Sequence, residues 1–241
     1  MPLHQQFHRR FIDRFMTFEP IGLITFALVA GGVFAFLTLT GEVLEGDTHA
    51  FDEEILLALR QTTDLAVPIA PSWVTHAVGD ITALGGVTVL SLMTILAVVY
   101  LLLARQTAIA IFMFLSIAGG WLVSTVLKLG VARPRPEIVP HLVEVHDMSF
   151  PSGHAMLSAV TYLTLAALLS RAQQYRATRI FLLATGIFLT FIIGLSRLYL
   201  GVHYPTDVLG GWCAGAVWAA GCWMVARRFI ERKPKEPVTV K

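Results

Sequence analysis

"SRLYLGVHYPTD", residues 196–207, joins two apolar runs and places Arg197, His203 and Asp207 within eleven residues. The chain around it is 56% hydrophobic and only 14% charged. An ionisable side chain at membrane depth is costly and usually functional. This stretch therefore predicts a polar site at the point where one apolar helix ends and the next begins.

The apolar runs on either side indicate an all-α polytopic membrane protein. The 241 residues have a mean hydropathy of +0.70, which is unlike an ordinary soluble domain. Runs of about 20 apolar residues, enough to cross a bilayer, recur along the whole chain. They predict six spans, residues 21–39, 84–103, 107–127, 154–169, 180–195 and 208–226. The fourth and fifth are short, so we expect their ends to lie in the interfacial zone.

The domain organisation that follows is simple. Residues 1–20 form a cytoplasmic N-terminal segment, residues 21–226 the six-span domain, and residues 227–241 a basic cytoplasmic tail with the composition of a disordered segment. The first apolar run is too long for the core of a signal peptide, and no small-residue cleavage site follows it. We therefore expect an uncleaved anchor.

Positive charge is divided unequally between the two sides of the predicted membrane. One side carries 13 of the 18 Lys and Arg residues, and the positive-inside rule assigns this side, with both termini, to the cytoplasm. The other side carries Arg60, Lys128, Arg133, Arg135 and Arg197. Four of these five stand at the edges of apolar runs, so the sequence predicts an anionic ligand at the non-cytoplasmic ends of the helices.

Residues 51–65, "FDEEILLALRQTTDL", are predicted to form an amphipathic helix on the outer interface. Phe51, Ile55, Leu56 and Leu59 fall on one helical stripe, and the acidic residues 52–54 fall elsewhere. The pattern fits either a gate for lipid entry or a plain surface-packing helix.

"KLGVARPRP", residues 128–136, leaves the outer end of the third span. Lys128 lies at the helix end, and the two prolines stop the helix and stiffen the loop, so Arg135 projects from a restrained backbone. A basic stop signal is the plain alternative, but such signals belong on the cytoplasmic side.

"FPSGH", residues 150–154, begins the fourth span. Its backbone N–H groups and positive dipole end predict an anion site, to which Ser152 adds a hydroxyl and Gly153 a close approach to the main chain. A simple helix N-cap is the alternative, although His154 just inside the helix favours the site.

His203 and Asp207 lie four residues apart where the sixth span begins, with Pro205 suited to its first turn. A carboxylate at this spacing can accept a hydrogen bond from one imidazole nitrogen and leave the lone pair of the other free for attack. A structural His–Asp cap is the alternative for such a pair taken alone.

The three stretches together resemble the signature of the type 2 phosphatidic acid phosphatase (PAP2) superfamily of integral-membrane lipid phosphatases. Residues 128–136 fit K-x6-RP, residues 151–154 are PSGH, and residues 196–207 fit SR-x5-H-x3-D. Every signature position is matched. Arg133 is an additional basic residue to which the signature gives no role.

The resemblance implies a role for each matched residue. His203 would be the nucleophile that becomes a phosphohistidine, Asp207 would orient it, and His154 would be the general acid. The phosphate-binding residues would be Lys128, Arg135, Ser152, Gly153 and Arg197. The implied function is metal-independent hydrolysis of a lipid phosphate or diphosphate at the outer face of the membrane, with no cofactor.

Several alternatives remain open at this point. A lipid phosphotransferase would use the same residues and pass the phosphoryl group to another lipid or glycan, and an anion-binding transporter would need the cations alone. Phosphatidylglycerol phosphate, undecaprenyl diphosphate, phosphatidic acid and lipid A phosphates all suit the cations. A bacterial inner membrane is the expected location, and the sequence predicts no oligomeric state.

Two further features of the composition exclude other functions. The net charge of +2 argues against nucleic-acid binding. Cys213 and Cys222 are nine residues apart in one apolar run, on opposite faces of a helix. The sequence therefore predicts neither a disulfide nor a metal site.

Overall fold

A computed structural model of the chain describes residues 20–145 and 147–230, which form a bundle of α-helices with one short hairpin. The predicted segments 1–20 and 227–241 lie outside the described residues, apart from Pro20 and the backbone of residues 227–230. The elements are α1 (Pro20–Glu45), α2 (His49–Ala58), β1 (Arg60–Gln61), β2 (Asp64–Pro68), α3 (Ser72–Ala83), α4 (Val87–Leu103), α5 (Thr107–Val131), α6 (Gly153–Arg171), α7 (Arg176–Tyr199) and α8 (Pro205–Ile230).

Five of these helices, α1, α5, α6, α7 and α8, are each long and apolar enough to cross a bilayer. The pair α3 and α4, bent by 44° at a short break, supplies a sixth span. Large apolar side chains cover the outer faces of the bundle and are exposed, as lipid-facing positions require. Helices α6 and α7 run for 19 and 24 residues. Both helices therefore extend at each end beyond the predicted apolar runs 154–169 and 180–195, through polar residues.

Helix α6 lies at the centre of the bundle and packs against α5, α7 and α8. Most of its side chains are buried, including Met156 and Val160. Glycines on α8 allow the close approach: a Cβ atom at Gly211 would lie 2.7 Å from the carbonyl oxygen of Ser152 and 2.9 Å from the Cβ of Ala155. The contact therefore fixes the start of α6 against the start of α8.

One end of the bundle collects the three stretches singled out in the sequence. Because successive spans alternate in direction, the C-terminal ends of α5 and α7 meet the N-terminal ends of α6 and α8. The Ser152 amide donates to the carbonyl oxygen of Asp207 over 2.9 Å, which joins the last two of these helix starts. Residues far apart in sequence therefore share one small region.

The break between α3 and α4 also lies at this end. The Tyr162 hydroxyl donates to the carbonyl oxygen of Leu84 over 2.9 Å. A Cβ atom at Gly85 would lie 3.4 Å from Cδ2 of His154. The predicted span 84–103 began too early, because residues 84–86 form the break and α4 begins at Val87.

The predicted amphipathic helix over residues 51–65 was wrong in both extent and orientation. Helix α2 ends at Ala58, and the chain continues into the antiparallel hairpin of β1 and β2. Phe51 is exposed, whereas Asp52 is fully buried beside Leu56. Asp52 is buried because it has ionic and hydroxyl partners in the interior, and such pairing offsets the cost of removing a carboxylate from water.

We predict that Gly211→Ala destabilises the protein. The added methyl group meets main-chain atoms that cannot move aside, so the expected cost is about 1–3 kcal/mol. The measurement is the temperature at which half of the detergent-solubilised protein loses monodispersity after heating. Gly221→Ala on the same helix is the matched control, because nothing lies within 4 Å of the new Cβ atom. A Gly211→Ala variant as stable as the control would contradict the packing described for α6 and α8.

Candidate active site

His203 and Asp207 lie where α8 begins, with both side chains buried. Asp207 is in the first turn and accepts from the backbone amide of Tyr204 over 2.8 Å. The Nδ1 atom of His203 lies 3.5 Å from Oδ2 of Asp207. Ser149 adds a bridge, because its hydroxyl donates to the same carboxylate oxygen over 2.5 Å and its Oγ lies 3.4 Å from Nδ1. The two residues therefore form the oriented pair that their spacing predicts.

Arg135 defines which nitrogen of His203 carries the proton. One of its guanidinium nitrogens, which also donates to the carbonyl oxygen of Val202, lies 3.3 Å from Nε2 of His203. A guanidinium can only donate, so Nε2 is the acceptor and the proton resides on Nδ1, facing Asp207. This tautomer leaves the Nε2 lone pair directed toward the arginine and the space beside it.

The surroundings of His203 keep its imidazole neutral. Burial lowers the pKa of His203 to about 4; the hydrogen bond and charge of Asp207 oppose this shift, and the charges of Arg135 and Arg197 add to it. Because the pKa is lowered, the Nε2 lone pair is present at neutral pH. It is lost only as the pH falls through about 4.

Lys128 and Arg135 are joined through the carboxylate of Asp147. Lys128 Nζ lies 2.7 Å from Oδ2 of Asp147 and donates to the carbonyl oxygen of Met148 over 2.5 Å. Arg135 forms an ion pair with the other carboxylate oxygen and donates from Nε to the main-chain carbonyl of Asp147 over 2.8 Å. Burial opposes ionisation, but the two cations outweigh it and hold the pKa of Asp147 well below its usual range. An anion thus already occupies the space between two predicted phosphate-binding residues.

Arg197 comes from the last turn of α7 and is 3% exposed. One guanidinium nitrogen donates to the Thr82 hydroxyl over 2.9 Å, and its Nε has no hydrogen-bond partner among the described residues. A buried donor without a partner is costly. Arg197 therefore retains hydrogen-bonding capacity for a ligand.

At the start of α6, Gly153 and His154 line a cavity beside Lys128, whereas Ser152 does not. The fully buried Ser152 hydroxyl accepts from the amide of Ala155 over 3.5 Å, which is the N-cap alternative left open by the sequence. Gly153 lies beside Lys128, since a Cβ atom at Gly153 would be 3.4 Å from Cε of the lysine. The His154 imidazole lies against the break between α3 and α4, since a Cβ atom at Gly86 would be 4.0 Å from its Nε2.

A cavity of about 610 Å³ unites these groups. It is lined by most of the residues predicted for the site, namely Lys128, Arg135, Gly153, His154, Arg197 and His203. Ser152 and Asp207 stand behind its wall. The buried hydroxyl-bearing residue Ser124, one helical turn before Lys128, also lines it. The cavity can hold a phosphoryl group between three cations and two imidazoles.

The sequence analysis missed four residues of this region: Asp52, Asp147, Ser149 and Thr206. The role of Arg133 was also left unassigned. Arg133 is buried, and it contacts Asp207 at 2.7 Å and Asp52 at 2.8 Å. Its place beside Arg135 in a proline-stiffened loop was the available signal that it belongs to this region, but not that it faces buried carboxylates instead of the cavity.

Across residues 20–145 and 147–230, no group of three or more His, Cys, Asp or Glu side chains is arranged to hold a metal ion. Cys213 and Cys222 are both free.

The bundle and its cavity define a helical membrane protein that gathers cations and an oriented histidine at one end of its helices. The family model described as the PAP2 superfamily matches residues 108–231, just over half of the chain, and the chain belongs to this superfamily. It is 30% identical to phosphatidylglycerophosphatase B of Bacillus subtilis over 200 aligned residues. The alignment covers 82% of this chain and 90% of that protein. It is 31% identical over 121 residues to an undecaprenyl-diphosphatase of Sulfolobus acidocaldarius, which covers 48% of this chain and 54% of that one.

The fold is also shared with a solved structure. The crystal structure of a transmembrane PAP2-type phosphatidylglycerolphosphate phosphatase from Bacillus subtilis matches with a TM-score of 0.74 and 27% identity, over 86% of this chain and 98% of that one. These likenesses confirm the predicted family, the all-α integral-membrane fold and the class of enzyme, a phosphatase for lipid phosphates.

We predict that Asp147→Asn tightens inhibition by inorganic phosphate. The native carboxylate competes with phosphate for Lys128 and Arg135, and its removal is expected to lower the inhibition constant about 3- to 10-fold, or about 1 kcal/mol. Glu144→Gln is the matched control, because Glu144 lines the same cavity and forms no ion pair within the described part of the chain. An inhibition constant that is unchanged or higher in Asp147→Asn would show that this carboxylate does not compete with the ligand.

Proposed function

We propose that this protein hydrolyses a phosphate monoester or diphosphate of a phospholipid or polyprenyl lipid, at the outer face of the membrane, through a phosphohistidine at His203. One observation carries the proposal. His203 lines the cavity that also contains Lys128, Arg197 and His154, and its Nε2 faces Arg135, which lines the same cavity, at 3.3 Å. A site that only bound anions would need the cations but not an imidazole held in this tautomer.

In the first step Nε2 of His203 attacks phosphorus. The new P–N bond forms as the P–O bond to the lipid breaks, and the departing alkoxide takes a proton from the His154 imidazolium. The negative charge of a bound phosphoryl group stabilises that imidazolium. Asp207 holds Nδ1–H and stabilises the positive charge that develops on the His203 ring.

In the second step water replaces the protein nitrogen. His154, now neutral, accepts a proton from the water as its oxygen bonds to phosphorus and the P–N bond breaks. The products are inorganic phosphate and neutral His203. Each histidine returns to its starting state, so the cycle needs no further reactant.

Fixed cations supply the charge stabilisation that the reaction needs. Phosphoryl transfer is catalysed mainly by positioning and by neutralising the equatorial oxygens, and one well-placed arginine contributes about 10^3 to 10^5 in rate. Lys128, Arg135 and Arg197 line one cavity with the start of α6, and donors already in position need no reorganisation when charge develops on the phosphoryl oxygens. On this scheme no metal ion is required.

The shape of the surroundings supports a lipid substrate. A second, apolar cavity of about 530 Å³ lies between α4, α5 and α6. Val87, Trp121 and Leu157 line both cavities. A phosphorylated headgroup in the first cavity can therefore continue into an acyl or prenyl chain in the second without passing through water.

The distribution of charge supports an outer-facing site. Arg105 lies in the turn between α4 and α5, and Arg171 and Arg176 border the turn between α6 and α7. Both turns are at the end of the bundle opposite the cavity. The positive-inside rule then makes that end cytoplasmic, and a bacterial inner membrane with both termini inside is the expected setting.

We predict that His203→Ala abolishes release of inorganic phosphate from lipid phosphates in detergent. His154→Ala is expected to lose about 10^2 to 10^4 in kcat, because general acid–base catalysis contributes this much. EDTA should have little effect on the native protein. The assay uses a panel of phospholipid and polyprenyl phosphates and scores released phosphate against radiolabel passed to a second lipid, which separates hydrolysis from phosphotransfer.

Quenching the reaction with 32P-labelled substrate in alkaline denaturant tests the intermediate. The native protein should carry an acid-labile, base-stable label that is missing from His203→Ala. The matched control is His76→Ala, a histidine on α3 that does not line the cavity. Full phosphate release by His203→Ala would contradict a mechanism through phosphohistidine at this residue.

We predict that the outer loop is accessible from outside the cell. In a Cys213→Ala, Cys222→Ala background, a membrane-impermeant maleimide should label Glu137→Cys in intact cells. Gln106→Cys, in the turn at the opposite end, should be labelled only after the cells are opened. Both native residues are exposed. The reverse pattern of labelling would invert the proposed topology.

A further inference from the structure

Arg133 lies between two buried carboxylates behind the wall of the cavity. One guanidinium nitrogen is 2.7 Å from Oδ1 of Asp207, and the other is 2.8 Å from Oδ2 of Asp52. The ring of Tyr204 covers the guanidinium, with 4.2 Å between the guanidinium carbon and the ring centroid. Arg133 is 6% exposed and both carboxylates are 0% exposed. Its charge is therefore directed at these two groups rather than at a ligand.

Asp52 anchors this arrangement from a distant part of the chain. It accepts from the Thr206 amide over 3.0 Å and from the Thr206 hydroxyl over 2.6 Å. The Thr206 hydroxyl oxygen in turn accepts from Arg133 over 2.8 Å. Helix α2 thus holds both the arginine and the residue next to Asp207.

We propose that Asp52 and Arg133 are positioning residues that hold Asp207 against Nδ1 of His203 and limit the negative charge that the imidazole experiences. The proposal rests on the proposed function, in which neutral His203 attacks phosphorus. Neither residue lines the cavity, so both act through Asp207. The sequence left helix α2 as either a lipid gate or a surface helix. On this proposal α2 instead positions the first turn of α8, which carries Asp207.

The physical reason lies in the count of buried charges. Asp52, Arg133 and Asp207 together carry a net charge of −1, and removal of the arginine alone leaves −2 beside the imidazole. Nearby negative charge favours the protonated ring, in which the Nε2 lone pair needed for attack is lost. Asp207 without its arginine would also be a buried carboxylate with an unneutralised charge, held only by the Ser149 hydroxyl and the Tyr204 amide.

The other charges that face His203 do not change in this comparison. They are Arg135 from the loop after α5, Arg197 from the end of α7 and His154 from the start of α6. Lys128 and Asp147 contribute from farther along the cavity. A shift produced by altering Arg133 or Asp52 therefore reports on the charge balance around Asp207.

The test compares the pH dependence of kcat/KM for one lipid phosphate across variants, so that titration of the substrate is common to all. For Arg133→Gln we expect the midpoint of the acid limb to rise by about half a pH unit or more, with kcat falling about 10- to 100-fold, as for loss of other supporting contacts. Asp52→Asn changes the charge in the opposite sense. Its midpoint is expected to fall, while kcat also decreases because Thr206 and Arg133 lose their anchor.

Two further variants separate charge from geometry. The double variant Asp52→Asn, Arg133→Gln restores the native net charge, so its midpoint should return toward the native value while kcat stays low. Arg133→Lys keeps the charge, but an ammonium cannot reproduce the planar double contact. Its midpoint should stay close to native and its kcat should fall.

Arg60→Gln is the matched control. Arg60 is a buried arginine from the segment after α2, but its guanidinium donates to the main-chain carbonyls of Leu59 and Tyr199 instead of to a carboxylate. This variant should lose thermal stability without moving the midpoint. Glu54→Gln, an exposed acid on α2, should change neither property.

The outcomes discriminate between the two proposals. An unshifted midpoint in Arg133→Gln, or a shift in the same direction for Asp52→Asn, would overturn the positioning role. If Arg133→Gln does not fold, the sign of the shift in Asp52→Asn decides alone, and no fall in its midpoint overturns the proposal. Phosphate release by His203→Ala, by contrast, would overturn the proposed function whatever the midpoints show.

Discussion

A carboxylate that is removed from water at the end of a helical bundle must be surrounded by donors, and the pairing of Asp207 determines how this region is arranged. Asp207 receives hydrogen bonds from Ser149, Arg133 and the amide of Tyr204. Arg133 and Ser149 come from the two ends of the single loop between α5 and α6, and the amide comes from the turn that begins α8. Because one buried anion joins both ends of this loop to that turn, their relative positions are fixed, and with them the direction of the His203 ring.

Lys128, Arg135 and Arg197 differ from Arg133, because these three cations line the cavity. Asp147 forms ion pairs with two of them, Lys128 and Arg135, whereas Arg197 keeps a buried nitrogen without a partner among the described residues. The three cations repel one another, and Asp147 offsets only one of their charges. The site is therefore built for a group that carries at least two negative charges, and a phosphoryl group has the required charge and size.

Much of the fold and most of the cavity could be predicted from the sequence, and the misses have a common physical origin. Apolar length predicts spans, and helix-stopping prolines place Arg135 and His203 at helix ends. Hydropathy, however, assigns every acid to water, so it could not predict that Asp52 is buried by pairing with Arg133 from 81 residues away. The same limit applies to Asp147 and Ser149, whose roles come from a loop without periodic pattern. The Ser152 hydroxyl caps α6, and its predicted role in phosphate binding stays a prediction, because an N-cap and an anion site have the same sequence.

The central claim is that one phosphoryl group is held between the cations while Nε2 of His203 attacks it. The most direct measurement is an experimental structure of the protein with orthovanadate, which adopts the geometry of phosphorus during transfer. The account predicts a bond from vanadium to Nε2 of His203, vanadate oxygens within about 3 Å of Lys128, Arg135 and Arg197, and the opposite apical oxygen facing His154. Vanadate bound without a bond to His203, or bound outside this cavity, would contradict it.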